Sequence, residues 1–493
     1  MIGNSVKRDM VLFVAFPEEE LDESSQVFRR TVPFSLLYLA HYLKRHSVES
    51  VIHDLSLVMD GRDLKEIKLD DYLVEELSEI IAEKNPLCLG VSCFASFQFP
   101  LMKRVLKRIK EHFPTLPIVI GGTHPTLYAL QIMENCSFID YVVLGEGEEQ
   151  VLELTYIVKS GSYSELENIQ ALAYRDTNRQ IIINPRKSYL RVLDDEKPAN
   201  FWSSIDLQNY HFRRDVKSWY NPKRHDIRYA VPIMTSRSCP FDCSFCANYR
   251  VMGRKMRFRD PERVVNEIEY LNKEHGENYF EFLDDNVVLN REHALNIFKG
   301  IKDRGLDIQF SLINGFYIPS IDDKLIDVMA EAGLVSTKIP VEHGNDYIRN
   351  SVIGKKVKKD EVCHAVKRLY ENRVFSIGLF IIGFPEDTVD TLDDSLRFVE
   401  ELKELGMDMS KTANLAPIPG SRVFEQCLKE NLLLNDIDPK TLWQGRLCID
   451  SLDHDKFYIK PYNMTMYELY EYRRRFNDVW CLSERSKQLN KTE

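Results

Sequence analysis

Short apolar runs alternate with amphipathic stretches along the first 160 residues. MVLFVAF (10–16) predicts a buried strand, and PFSLLYLAHYLKRH (33–46) a helix with Leu36, Leu39, Ala40 and Leu43 on one face. SVIHDLSL (50–57) predicts a second strand, DYLVEELSEIIAEK (71–84) a helix, and LCLGVSCF (87–94) a third strand. A basic amphipathic helix, FPLMKRVLKRIKEHF (99–113), is followed by strands LPIVIGG (116–122) and YVVLGEG (141–147). Continuous Val/Ile/Leu runs between helical periods mark a parallel sheet covered on both faces. Five such strands predict an open α/β, doubly wound, Rossmann-like sheet over residues 1–160. Ligands bind such sheets beyond the carboxyl ends of the strands.

The alternation stops at 161–228. LENIQALAYRDTNRQIIINPRKSYL (166–190) predicts a small β-hairpin, LDDEKPANF (193–201) a charged linker, and 202–226 is aromatic and basic without a clear period. This stretch reads as a connector. From 229 the pattern resumes with strands at 229–236, 279–284, 308–314, 335–342, 375–383 and 411–417, separated by helical periods. Asp260 and Pro261 mark the start of the first of these helices as N-cap and first-turn residue. Six strand–helix units predict a partial (β/α)6 barrel over 229–430, with its site at the carboxyl ends of the strands. Residues 431–493 form a C-terminal cap. Within it, KFYIKPYNMTMYELYEYRRRFNDVW (456–480) suits either a lid over the barrel mouth or an amphipathic helix packed on the barrel with its arginines in water.

Composition narrows the function classes. A chain of 493 residues, 44% hydrophobic and 29% charged, is globular and too long for one ordinary domain. Its net charge of −11 argues against a general nucleic-acid binder. The longest apolar stretch, FSIGLFIIGF (375–384), is too short to cross a bilayer, so no transmembrane segment is expected. MIGNSVKRDMVLFVAF lacks a leader-like pattern. Cys88, Cys93, Cys136, Cys363, Cys427, Cys448 and Cys481 are scattered and read as reduced thiols of a cytoplasmic protein.

The strand ends of the first sheet are rich in small residues: Gly-Val-Ser-Cys-Phe (90–94), Gly-Gly-Thr-His-Pro-Thr (121–126) and Gly-Glu-Gly-Glu (145–148). Glycine lets a ligand approach the backbone, and helix N-termini offer N–H groups to a phosphate. Ordinary turn glycines are the alternative, and His124 alone suits a hydrogen-bonding residue at a helix start. The remaining three cysteines stand together in SRSCPFDCSFC (236–246). Thiolates bind zinc or iron–sulfur clusters. Structural zinc takes four ligands, whereas the nearest histidines, His225 and His275, lie 14 residues before and 29 after the triplet, and no second cysteine pair exists. Three thiolates suggest a cluster with one open iron. Zinc and an electron-transfer ferredoxin-like role are the competing readings.

C-x3-C-x2-C after the first strand of a partial barrel resembles the radical S-adenosylmethionine (SAM) enzymes. The resemblance implies a 4Fe–4S cluster on Cys239, Cys243 and Cys246, whose open iron chelates SAM. It also implies a 5′-deoxyadenosyl radical that abstracts hydrogen. Phe245 resembles the aromatic beside the adenine. FEFLDDNVVLN (280–290) is similar to the second-strand segment, with Asp284 as a SAM contact at the strand end beside Asp285. IPVEHGND (339–346) resembles the fourth-strand segment, with Glu342 as the SAM contact and His343 where serine is usual. IIGFPEDT (381–388) is similar to Gly-Phe-Pro-Gly-Glu-Thr, implying SAM contacts at Gly383 and Pro385, with Glu386 where glycine is common. LAPIPGSRVF (415–424) resembles the segment that closes the barrel.

An open α/β sheet ahead of such a barrel resembles the cobalamin-binding subclass, over about residues 10–430. The implied cobalamin contacts are Ser92, Gly121, Gly122, Thr123, His124, Thr126, Gly145, Glu146 and Gly147. The Asp-x-His-x-x-Gly motif that ligates cobalt is missing from AFPEEELDESSQVFRR (15–30), so no histidine is expected on cobalt from that loop. The subclass implies methylation of an unactivated carbon or phosphorus through that radical and methylcobalamin. Cyclisation or ring contraction without methyl transfer is the alternative, and a cobalamin- or redox-responsive regulator the reading from another class. The resemblance further implies a small-molecule or lipid substrate and a flavodoxin or ferredoxin-type electron donor. No residue is assigned a catalytic role.

Overall fold

The computed structural model describes residues 9–17, 31–58, 68–193, 197–210, 230–445 and 456–479. Cys448, Cys481 and most of the loop after the first strand, including the segment that lacks the cobalt-ligating motif, lie outside the described residues. The first sheet has five parallel strands, β1 (Met10–Ala15), β2 (Glu49–Asp54), β3 (Cys88–Ser92), β4 (Ile118–Gly121) and β5 (Tyr141–Val143), in the order 2-1-3-4-5. The central run Val11–Val14 is at most 1% exposed because helices cover both faces. The chain leaves β1 to one side for β2 and returns to the other for β3, which opens the crevice between their carboxyl ends. The basic helix Phe99–His112 turns its apolar face inward and pairs Arg104 with Asp70 and Arg108 with Asp71 at 2.5 and 2.6 Å. Those cations serve the neighbouring helix Leu69–Lys84.

The hairpin expected in the connector belongs to this sheet. β6 (Leu172–Arg175) pairs antiparallel with β5, and β7 (Ile181–Ile183) with β6. β5 would otherwise present an open edge of unpaired backbone groups, and Leu172 and Ala173 are fully buried in covering it. The first unit therefore extends beyond residue 160 to about Ile183.

The second sheet is wholly parallel. β8 (Val231–Ile233) starts it, and a two-residue strand, β9 (Ser236–Arg237), pairs outside it with β10 (Arg257–Phe258). The sheet continues in chain order with β11 (Tyr279–Phe282), β12 (Gln309–Leu312), β13 (Leu334–Glu342), β14 (Phe375–Ile382) and β15 (Met409–Asn414). These are the six expected strands of an open (β/α)6 barrel. Asp260 caps helix Pro261–His275 by accepting from the Arg263 N–H at 3.2 Å. Phe298 stacks on Phe310 at 5.1 Å between the sheet and its outer helices.

The cap divides its contacts. Helix Met466–Val479 packs on the barrel through Leu469, Tyr472 and Phe476. Arg473 was expected in water with its neighbours, but it is buried and donates to the Thr412 carbonyl at 2.5 Å. Leu432, Ile437, Leu442 and Trp443 share one hydrophobic cluster with helices of the first sheet and with Phe384, Leu415 and Phe424 of the barrel.

Buried charges join the two sheets. Glu146 and Glu148 follow β5, and Arg237 and Arg257 lie on the β9–β10 pair. Arg237 meets Glu148 at 2.6 Å and Glu146 at 3.4 Å, and Arg257 meets Glu146 at 2.6 Å. Each of the four side chains is at most 9% exposed. Burial alone would push the Glu148 carboxyl up, but the Arg237 charge and hydrogen bond, with help from Arg257, hold it below its ordinary value.

Removing one partner strands a buried charge, so Glu148→Ala should cost about 3 kcal/mol in urea unfolding. Because the folded Glu148 value is depressed, its stabilisation is complete above the ordinary 4.5 and is lost as pH falls through the folded value. The acid limb of a melting-temperature profile should therefore flatten in Glu148→Gln. An unchanged limb would show that the pair carries no stability.

Candidate functional site

The cysteine loop begins at Ser238, which has a φ of 84° and donates its hydroxyl to the Gly253 carbonyl at 2.7 Å. Three other segments fix the loop. Arg254 donates to the Phe241 carbonyl at 2.9 Å and to Asp242 at 2.6 Å. Arg422 donates to the Asp242 carbonyl at 2.7 Å, and the Ser244 N–H to the Ile353 carbonyl at 2.9 Å. Cys239, Cys243 and Cys246 are half-buried, and all described cysteines are free. Burial pushes the Cys243 thiol up to about 11, and those of Cys239 and Cys246 also upward. The three raise one another while the Lys355 ammonium opposes the rise, so thiols and ammonium share one neighbourhood.

Among the described residues no group of three His, Cys, Asp or Glu side chains closes round a single metal ion. The donor chemistry fits a larger iron–sulfur group: three neighbouring thiols, each kept protonated by burial until iron replaces the proton. Lys355, with its side chain 11% exposed, donates to Glu342 at 2.7 Å and adds positive charge beside sulfurs that become negative.

The expected SAM contacts separate into two groups. Glu342, Phe245, Gly383 and Pro385 gather around the cysteine loop or on the adjoining strand ends. Glu342 is near enough to Cys243 to raise its thiol, and Phe245 packs with Cys243 against the cap cluster. The Gly383 and Phe384 N–H groups donate to Asp387 at 2.8 and 2.9 Å, and the Pro385 carbonyl accepts from the Tyr462 N–H at 2.7 Å. Phe457 lies over Gly383, 3.2 Å from where a Cβ would stand. Asp284 turns away. Its 3% exposed carboxylate accepts from the Thr235 N–H and hydroxyl and from Ser236, tying β11 to the chain before the cysteines. Asp285 is the acidic neighbour of Cys239 and Cys246, and it accepts from Asn248 at 2.7 Å. Lys355 was missed by sequence reasoning. Its signal was the lysine run GKKVKK (354–359), but spacing does not say which lysine turns inward.

At the first sheet, Ser92, Gly121, Gly122 and Thr123 are half-buried small residues at the ends of β3 and β4. Ser92 lies 3.1 Å from the Ser35 hydroxyl. Gly122 has a φ of 104°, and a Cβ there would stand 2.5 Å from the Cys93 carbonyl oxygen, so only glycine lets the two strand ends close. Thr126 donates to the Gly122 carbonyl and accepts from the Gly145 N–H, both at 2.7 Å. The His124 ring is packed between Phe99 and Tyr128 with Nδ1 2.9 Å from the Ser96 hydroxyl. Burial lowers its pKa to about 3, so the ring is neutral and held by the chain. Gly147 precedes helix Glu148–Ser160. Glu146, expected at the cofactor, is instead taken up by the arginine pairs. The Tyr128 hydroxyl is buried without a hydrogen-bond partner. The row of small, half-open residues at these strand ends, with no side chain at Gly121 and Gly122, fits the long nucleotide tail of cobalamin.

The two sites adjoin. Gly145 has a φ of 68°, and a Cβ on it would come within 2.5 Å of the Val251 carbonyl. Val251 lies in the short helix Tyr249–Met252 that follows Cys246. Carboxyl ends of both sheets thus meet across the start of the barrel.

Residues 233–399 match the Radical SAM superfamily and residues 26–155 the B12 binding domain. The chain is 28% identical over 427 residues to the uncharacterized methyltransferase PH0819 of Pyrococcus horikoshii, covering 86% of this chain and 84% of that protein. It is 27% identical over 407 residues to the anaerobic magnesium-protoporphyrin IX monomethyl ester cyclase of Cereibacter sphaeroides, covering 80% of this chain and 63% of that protein's length. Its fold is similar to the radical SAM methyltransferase TsrM from Kitasatospora setae, with a TM-score of 0.70 at 18% identity, over 96% of this chain and 88% of that one. The chain carries a B12 binding domain followed by a Radical SAM domain, the arrangement of an enzyme that takes a 4Fe–4S cluster, SAM and cobalamin as its cofactors.

A Gly121 Cβ would meet nothing closer than 3.5 Å, so Gly121→Ala should melt like the native protein, and the bulkier Gly121→Leu should keep its cluster iron while losing bound cobalamin. Gly122→Ala should lose about 1–3 kcal/mol of stability through backbone strain. Equal cobalamin content in Gly121→Leu and native protein would remove the crevice from this position.

Proposed function

We propose that this enzyme methylates an unactivated carbon or phosphorus atom of a small-molecule or lipid substrate. The observation that carries the reading is the abutment of the two sets of strand ends at Gly145 and Val251, locked by the Glu146/Glu148–Arg237/Arg257 pairs. One substrate can then reach both cofactors. When bound, the cluster and SAM supply hydrogen abstraction, and cobalamin supplies the methyl group. Cys239, Cys243 and Cys246 would hold the cluster, Lys355 would offset its negative charge, and Glu342 with the Gly383–Pro385 turn would bind SAM. Ser92, Gly121, Gly122 and Thr123 line the cobalamin crevice, and Phe457 covers the SAM turn. The methyltransferase name of the Pyrococcus horikoshii relative supports the same reading.

The electron is supplied by a flavodoxin or ferredoxin-type donor. All described cysteines are free, and among the described residues no helix is long and apolar enough to cross a membrane. The cytoplasm suits both features.

The test supplies methyl-deuterated SAM to the reduced, cobalamin-loaded enzyme with the metabolite fraction of a strain lacking the gene. S-adenosylhomocysteine and 5′-deoxyadenosine should both form, and deuterium should enter one metabolite. Cys246→Ala should abolish 5′-deoxyadenosine. Formation of 5′-deoxyadenosine with an unlabelled product would replace methylation by cyclisation, the activity named for the Cereibacter sphaeroides relative. Absence of both small products would overturn turnover altogether.

A further inference from the structure

His343 stands where serine was expected, and its surroundings give the larger side chain a use. The ring, Asp387 and Ser395 are 0, 0 and 1% exposed. Nδ1 accepts from the Asn345 N–H at 3.1 Å, and the Ser395 hydroxyl lies 3.1 Å from the same nitrogen. With Nδ1 accepting, the ring proton sits on Nε2, which donates to Asp387 Oδ1 at 3.1 Å. Asp387 Oδ2 accepts from Gly383 and Phe384 N–H groups. Ser395 accepts from the Gly344 N–H at 2.8 Å. One buried carboxylate therefore connects the residue after Glu342, at the end of β13, to the turn at the end of β14. Hydrolase triads use the same residue types, but here no reacting group could reach the hydroxyl.

The connection acts on a strained point. Glu342 has a φ of 66°, and the β13–β14 register shifts between Pro340 and Glu342. A side chain in that region persists only where its surroundings hold it. A serine at 343 would be too short to reach Asp387 from the same backbone.

We propose that His343, Asp387 and Ser395 form a positioning strut that holds Glu342 in its strained conformation at a fixed offset from the Gly383–Phe384 turn, so that SAM meets a preformed site. The proposal rests on the reading of these two strand ends as the SAM site. The strut makes no contact with the reacting atoms. It removes the ordering that Glu342 would otherwise undergo on binding.

Equilibrium binding of SAM to the anoxic, cluster-loaded protein tests it. His343→Ser should bind SAM about tenfold more weakly through the lost buried hydrogen bond, while kcat at saturating SAM changes little. His343→Gln keeps a donor at the Nε2 position and should recover most of the affinity. Native affinity in His343→Ser, or equal weakness in both variants, would overturn the strut. If His343→Ser does not fold, nitrogen-15 resonances of the histidines in the native protein decide: an Nε2–H tautomer at His343 is expected, and an Nδ1–H tautomer overturns the proposal. Native protein that bound no SAM would instead overturn the site reading on which the strut rests.

Discussion

Four buried charges set the geometry on which the rest of this molecule depends. Glu146 and Glu148 leave the last parallel strand of the first sheet, and Arg237 and Arg257 flank the cysteine loop at the entrance to the second. Taking such charges out of water is costly, and their attraction offsets the cost only when distances and hydrogen bonds are right. A shift of either sheet would leave carboxylates and guanidiniums buried and unpaired. The cluster of pairs therefore specifies one relative placement of the two units. The Leu190 and Met252 carbonyls, which also accept from Arg257, bring the connector and the segment after the cysteines into the same arrangement.

What that placement achieves is a meeting of unlike chemistries. One side offers small residues and backbone at the ends of β3 and β4, suited to a long, conformationally fixed ligand tail. The other offers three thiols, a buried ammonium at Lys355 and a strained carboxylate at Glu342. Gly145 allows the two to touch without a side chain between them. The cap closes the outside. Trp443 packs 6.1 Å from Phe99 in the first unit while Phe457 covers the Gly383 turn of the second.

Much of this was legible in the sequence because it is local. Strand runs, helical periods, the Asp260 cap and the cysteine spacing each depend on a few neighbouring residues, and the eleven expected strand positions carry strands. The pairings that cross the chain were not legible. The 172–183 hairpin looked like a connector because nothing in its own residues says that β5 offers a free edge. Glu146 looked like a ligand-facing residue because it follows a glycine at a strand end, but its arginine partners Arg237 and Arg257 are ninety and more residues away. Asp284 and Asp285 are adjacent and alike, and only the fold shows that the first ties strands together while the second faces the thiols. Arg473 differs from Arg474 and Arg475 solely in its position on a helix face.

If the buried charges fix how the two sheets meet, the two cofactors sit at one fixed separation. Dipolar electron paramagnetic resonance between cob(II)alamin and the reduced cluster, in a sample holding both, measures that separation directly. A single narrow distance is expected in the native protein and a broadened distribution in Arg237→Met. A broad distribution already in the native protein, or one unaltered by removal of Arg237, would contradict it.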